Sequence, residues 1–429
     1  MFQTFRNAWK IPELKNRLLF TLAILVVYRL GSAIPVPFIT GSALNQMFSN
    51  GNMLSYLDMM SGGALSRCTL FALGVTPYIN ASIIVQLLTV AIPALENMAK
   101  EADGQQKMQQ ITRYVGGVIA LVMSLGYYFV IRNMGALKYT SGAAGIFTAV
   151  VIIATFTAGA QLITWCGEQI DDKGIGNGIS LIIMIGIVAR LPHALLAEVN
   201  ARFQTASGSA IMLILELVLL FLVFMATIAL VQAVRKVPVQ YAKRIVGNKQ
   251  YGGVRQYIPL KMNAANVMPI IFAQALMFIP ALFSGTAFAA AFSSMTGFWY
   301  NFTLAVLVIA FTYFYTAIII NPQMMADDMK RNGGFIPGVK PGKQTVNYID
   351  TIMTRITLPG SFFLAIVAIL PALAMKFLGI QQAFAYFYGG TSLLIMVGVV
   401  LDTLKQIESY LLMRHYDGLM KTGRIQGRH

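Results

Sequence analysis

The sequence predicts an all-α polytopic membrane protein with ten transmembrane helices in two inverted five-helix halves. Three observations carry that expectation. Of 429 residues, 57% are hydrophobic and 11% charged, with a mean hydropathy of +0.67, against roughly 25% charged in an ordinary soluble chain. The apolar residues fall into ten runs, most of them near the ~20 residues that cross a hydrocarbon core. Two of those runs are broken, one by Gly74 and Pro77, the other by Asn266 and Pro269. A backbone interrupted at membrane depth must face protein or water rather than lipid, and breaks at corresponding places in two halves point to a pathway through the bilayer.

The spans are expected near Leu18 to Ala33, Leu70 to Ala91, Val115 to Ile131, Ile146 to Cys166, Ile179 to Leu191, Ile211 to Val234, Val267 to Phe283, Phe302 to Ile320, Leu358 to Phe377 and Phe384 to Leu404. Phe2, Phe5 and Trp9, spaced helically among Arg6 and Lys10, suggest an interfacial helix before the first span. Pro35 and Pro37 replace the small residues of a signal-peptide cleavage site, so the first helix is expected to be retained. The fifth run is short. The segment Pro192 to Ser209 after it divides one membrane domain, 1–429, into halves 1–205 and 206–429. Five helices per half is an odd number, so the halves must be inverted, and the broken helix is the second of each. No residue-level repeat accompanies this symmetry.

Charge sets the orientation. The net charge is +16, and 25 of the 32 Lys and Arg residues fall in segments on one side of the ten-span topology. Short cytoplasmic loops are enriched in Lys and Arg, so both termini are expected in the cytoplasm. Loop 235–261 carries Arg235, Lys236, Lys243, Arg244, Lys249, Arg255 and Lys261 with no acidic residue. Its Gly252-Gly253 suggests a hairpin tip with extended arms. Loop 321–355 carries Gly333-Gly334 and Pro337-Gly338-Val339-Lys340-Pro341-Gly342, a turn-rich tip between two helices. Such loops suit anionic lipid, an acidic protein or ribosomal RNA. The outer segment from Thr40 to Arg67 is too long and too apolar for a simple connector and is expected to fold back into the structure.

Much chemistry is missing. Ion-coupled carriers keep ionisable groups inside the bundle, whereas Arg29, Glu216, Lys376 and Asp402 sit nearer the ends of their runs. Thr76, Asn80, Ser82, Gln86, Asn266 and Gln274 are there instead, as interhelical glue or as a path lining. Cys68 and Cys166 fall on opposite sides of the membrane, and neither they nor His193, His415 and His429 have metal-site spacing. The run Lys173-Gly-Ile-Gly-Asn-Gly-Ile-Ser180 lacks the preceding strand and the Gly-Lys-Ser/Thr ending of a phosphate loop. A tight turn with Asn177 or Ser180 capping the next helix explains its glycines better. No enzyme, cofactor or metal is expected.

Several segments, in order and over most of the chain, resemble the SecY family, the channel subunit of the bacterial protein-translocation machinery. They are Gly74-Val-Thr-Pro77-Tyr-Ile-Asn-Ala-Ser-Ile-Ile-Val-Gln86, Gly167-Glu-Gln-Ile-Asp-Asp-Lys-Gly-Ile-Gly-Asn-Gly-Ile-Ser180, Val239-Gln-Tyr-Ala-Lys-Arg244, Tyr257-Ile-Pro-Leu-Lys-Met-Asn263, Phe335-Ile-Pro-Gly-Val-Lys-Pro-Gly342, Tyr348-Ile-Asp350 and Gly389-Gly-Thr-Ser-Leu-Leu-Ile395. The resemblance implies a clamshell with an hourglass channel and a seam that opens sideways to lipid. It implies an external plug over 54–66, with Leu54, Leu57, Met60, Ala64 and Leu65, and a constriction ring of Val75, Ile79, Ile83, Ile183, Ile187, Ile271 and Ile395. Ile79 and Ile83, like Ile183 and Ile187, lie one helical turn apart on a common face.

Docking would fall to Arg235, Lys236, Lys243, Arg244, Lys249, Arg255 and Lys340. The implied partners are SecE-like and SecG-like small membrane subunits, a SecA-like ATPase motor, the ribosome through ribosomal RNA, signal sequences, unfolded secretory proteins and membrane lipid. The implied location is the bacterial plasma membrane. Lys340 stands where relatives usually carry Arg, and Met123 where many place a polar residue. A small-solute transporter and an accessory SecY paralogue with restricted clients are the competing readings.

Overall fold

The computed structural model describes residues 9, 11–40, 63–99, 101, 103–133, 135–204, 209–241, 244–246, 249–251, 255–277, 292, 294 and 296–422. The chain forms two compact units, Met1–His193 with Val399–His429, and Ala194–Gly398. This division differs from a cut at 205/206: its boundary lies at 193/194, and the last helix from Val399 onward belongs with the first unit.

In the first unit, α1 (Pro12–Gly31) opens on a proline, which suits a first turn whose N–H would be unpaired anyway. Residues 63–75, the last six of them inside the expected second span, are not helical. Their backbone is satisfied internally, as burial demands. Leu70 N donates to Ile34 O and the Val36 N–H to Cys68 O, both at 2.9 Å. The Tyr127 hydroxyl donates to Leu65 O at 2.7 Å, and Thr69 donates to Ala64 O through its N–H (3.0 Å) and its hydroxyl (3.2 Å). Gly159 makes room for this segment: a Cβ there would stand 2.0 Å from Leu70 O.

The helices α2 (Thr76–Ala91) and α3 (Pro93–Ala99) follow, bent by 107° at their junction. Next come α4 (Gly104–Asn133) and α5 (Gly142–Lys173). Leu65, Cys68, Ala72 and Leu73 join Tyr127, Ile131, Ile152 and Phe156 of α4 and α5 in one core. Cys68 and Cys166 are both buried, and neither is in a disulfide.

The glycine-rich run is a junction. Ile175 N donates to Thr21 Oγ1 (3.1 Å), Gly176 N to Gln406 Oε1 (2.8 Å), Gly178 N to Asp171 Oδ1 (2.7 Å) and Ser180 N to Asn177 Oδ1 (2.9 Å). Asn177 therefore caps α6 (Gly178–Gln204), and the N–H groups that a phosphate would need already have side-chain oxygens. Gly178 is needed for space, since a Cβ would meet Gly167 O at 2.1 Å.

α6 corrects an expectation: it is 27 residues long and runs through Pro192 to Gln204. A proline inside a helix removes one backbone bond and can kink it, but the helix resumes beyond it. Much of the segment Pro192 to Ser209 is therefore helix rather than connector.

The second unit continues with α7 (Ser209–Gln232), whose Ile211 (77% exposed) and Phe221 (65%) mark a face suited to lipid. The strands β1 (Val234–Tyr241) and β4 (Arg255–Lys261) pair antiparallel, Gln240 opposite Arg255; β2 (Arg244–Val246) and β3 (Lys249–Tyr251) pair with Arg244 opposite Tyr251. The expected hairpin tip, Gly252-Gly253, lies outside the described residues. Gly247-Asn248 is itself a two-residue hairpin signal.

α8 (Met268–Leu276), α9 (Phe298–Ile319) and α10 (Pro322–Arg331) come next. Asn321 caps α10 by accepting Gln323 N (3.0 Å) and Met324 N (3.2 Å). β5 (Gly334–Phe335) adds to β1, so Gly333-Gly334 leads into a third strand rather than forming a free tip. α11 (Lys343–Leu378) begins well before Leu358, because its first turns are amphipathic: Ile349 and Met353 are buried with Val237, Val239, Leu260, Met329 and Ile336. The two basic loops thus share one small core.

Gln382–Ala385 (α12) and a 3₁₀ turn at Tyr386–Tyr388 precede α13 (Gly390–Thr422), so the tenth span starts at Gly390 rather than Phe384. Seven helices are long and apolar enough to cross a membrane, eight with the bent pair α2 and α3, among the described residues. α1 and α8 stand at the first and seventh expected spans.

Candidate pore constriction

The two breaks have the same local geometry. Gly74 and Asn266 are both left-handed, with φ of 57° and 52°, conformations that glycine and, less often, asparagine tolerate. Each is followed by a valine, one further residue and a proline, and Pro77 and Pro269 are each the second residue of their helix. The two starts thus match over four residues, with no longer repeat around them in the sequence. The match equates Ile79 with Ile271, each two residues past its proline.

On α2, Gly116 of α4 lies against Ala81 and Tyr78, so these two face α4. Ile79 and Ile83 each lie about 200° around the helix from Ala81 at 100° per residue, and are turned away from α4. Val75 and Ile83 are 6% exposed, Ile183 8%, Ile187 0% and Ile395 8%; Ile79 and Ile271 are half-buried. Five ring candidates belong to the first unit, on α6 and on α2 with its cap Val75, and two to the second, on α8 and α13. None of the seven is exposed as a lipid-facing side chain would be. On the flanks of Ile271 and Ile395, Ile270, Leu393 and Leu394 sit in a core with Leu304, Val308 and Leu364.

Of the plug candidates, Leu54, Leu57 and Met60 lie outside the described residues. Ala64 (1% exposed) and Leu65 (6%) are buried beside the break, and their carbonyls are the acceptors of Thr69 and Tyr127.

A family profile described as SecY matches residues 69–404. The chain belongs to the SecY family. The protein translocase subunit SecY of Streptomyces scabiei is 42% identical over 98% of this chain and all of that protein. Among solved structures, one described as a protein-conducting channel shares the fold with a TM-score of 0.63 at 18% identity, covering 98% of each chain. Canine Sec61, from a ribosome-channel complex of the endoplasmic reticulum, does so with a TM-score of 0.60 at 17% identity, again over 98% of each.

Met123 and Lys340, where the resemblance implies a polar residue and Arg, have plain local settings. Met123 packs against the first core, while its neighbour Ser124 meets Thr157 across α4 and α5 at 3.0 Å, so polar contact here joins two helices of one unit. Lys340 is exposed, on a turn closed by Thr345 Oγ1 donating to the Lys340 carbonyl at 3.0 Å and anchored by buried Ile336. Arg235 and Lys236 are exposed on β1. Arg244, Lys249 and Arg255 take places on β2, β3 and β4, and Lys243 lies outside the described residues.

Of the ionisable residues expected near span ends, Arg29, Lys376 and Asp402 are exposed, but Glu216 is 1% exposed. It belongs to a cluster with Glu198 and Arg202. The Glu-to-Arg spacing of four residues on a helix was the available signal.

Proposed function

We propose that this chain is the central pore subunit of a bacterial protein translocase. It passes unfolded secretory polypeptides across the plasma membrane and releases hydrophobic segments sideways into lipid. The observation that carries the reading is the pair of matching helix starts, Gly74 to Pro77 and Asn266 to Pro269, each presenting an isoleucine two residues on. The name of the Streptomyces relative and the channel description of the solved structure support it.

Val75, Ile79, Ile83, Ile183, Ile187, Ile271 and Ile395 form the constriction. An aliphatic ring excludes ions by dewetting and offers a sliding polypeptide no polar partner. Residues 54–66 close it from outside as a plug. A hydrophobic signal sequence leaves for lipid because the membrane solvates its side chains better than water, by about 25 cal/mol per Å². Both termini are cytoplasmic, and the hairpin bearing Arg235, Lys236, Lys243, Arg244, Lys249 and Arg255, with Lys340 beside it, docks an ATPase motor or ribosomal RNA. SecE-like and SecG-like subunits complete the channel, and the energy comes from the motor.

Reconstitution tests this. With its small subunits in vesicles, the chain should protect an unfolded precursor from added protease only when motor and ATP are present. Uptake of a small solute driven by an ion gradient, with no precursor protected, would replace the channel by a carrier.

A further inference from the structure

The buried ionic cluster of the second unit has no part in the ring or the basic surface. Arg202 Nε donates to Glu198 Oε1 at 2.9 Å, and its Nη2 donates to Glu216 Oε1 and, at 2.7 Å, to Leu378 O. The other oxygen of Glu198 accepts the Gln381 N–H at 2.8 Å. The Tyr388 hydroxyl donates to the backbone carbonyl of Glu216 at 2.7 Å. One guanidinium thus ties α6 and α7 to the last residue of α11, and the two glutamates it holds reach the segment that leads into α13, Glu198 through Gln381 and Glu216 through Tyr388.

Glu198 and Glu216 are each 1% exposed, and a pair of buried carboxylates is an expensive way to hold a turn; apolar packing often serves stability as well. What the cluster adds is direction. A planar fork bonded to three acceptors fixes orientation as methyl groups cannot. Tyr388 is two residues before α13 begins, and Ile395 lies about a turn and a half into that helix. A helix is stiff over such a length, so the pose of the 3₁₀ turn is carried to Ile395.

We propose that Glu198, Arg202, Glu216 and Tyr388 are positioning residues for the constriction: their bonds set the rotation and height at which α13 presents Ile395. The proposal rests on the reading of Ile395 as a ring residue, and the experiment separates the two. Arg202→Gln, Arg202→Lys, Tyr388→Phe and Ile395→Ser are compared in the complete translocase. The readouts are resting ion conductance and export of a precursor with a defective signal sequence, with thermal unfolding recorded for each.

Arg202→Gln should raise both readouts by about tenfold, within the range over which packed networks modulate remote sites. Arg202→Lys should fall between it and the parent. Tyr388→Phe, which removes one neutral hydrogen bond and leaves the charges paired, should move both readouts in the same direction with its unfolding temperature nearly unchanged. If Arg202→Lys and Tyr388→Phe assemble normally and keep the parent's conductance and signal selectivity while Ile395→Ser leaks, the cluster is structural only and the proposal is overturned. If Ile395→Ser stays tight, the ring reading itself fails.

Discussion

Changing Ile79 and Ile395 together to serine should raise the resting ion conductance of reconstituted channels about tenfold or more, since each ~1.4 kcal/mol taken from a barrier is tenfold in rate. Wetting an aliphatic side chain costs about 2 kcal/mol, and a hydroxyl removes most of that penalty. Two such changes in a narrow ring therefore lower the dewetting barrier by more than the tenfold step. The same variant should export precursors with poor signal sequences, because the closed state has lost its advantage. A plain packing role makes a different forecast. Ile395 is 8% exposed, and truncating a buried isoleucine costs about 2–5 kcal/mol of stability, so packing alone predicts a lower Tm with an equally tight pore. Single-channel records on the assembled complex, read beside thermal unfolding, separate the two.

Reversing Lys340 to glutamate should cut motor-driven translocation by at least about tenfold, since placing like charge against a partner costs several kcal/mol. The fold should not notice. The side chain is exposed, the Thr345 bond is to the Lys340 carbonyl rather than to its ammonium, and surface changes of this kind usually stay within about 0.5 kcal/mol. Lys340→Arg should translocate at least as well as the parent, because it keeps the charge and adds a donor fork. Unchanged motor-dependent transport by Lys340→Glu would remove this turn from the docking surface.

The signals that were legible in the sequence were local ones. Gly74 with Pro77 and Asn266 with Pro269 announced the helix breaks because they act on their own backbone, and Asn177 announced its cap for the same reason. Where α6 ends was not legible, since Pro192 reads as a stop and the residues beyond it are held by Glu216, Leu378 and Gln381, far away in sequence. The shared core of the basic loops was hidden likewise: Val237 and Val239 are buried with Ile336 and Ile349, about a hundred residues on. Only the two-residue spacing of Val237 and Val239 hinted that β1 had a covered face. Of the proposed ring, the spacing on α2 and α6 was visible in the sequence, whereas the equivalence of Ile79 and Ile271 rests on the two left-handed residues that precede them.

Disulfide capture of a moving chain tests the channel most directly. Ile187→Cys and Ile271→Cys are each paired with single cysteines placed along a secretory protein stalled part-way through the membrane. A sliding polypeptide brings every residue past the narrowest point, so both variants should form disulfides with many positions of the mature region. A lipid-facing helix would capture the signal segment alone, and a solute carrier nothing. Absence of crosslinks to the mature region, with the stalled intermediate shown to be present in the same sample, would contradict the assignment of Ile187 and Ile271 to a polypeptide path.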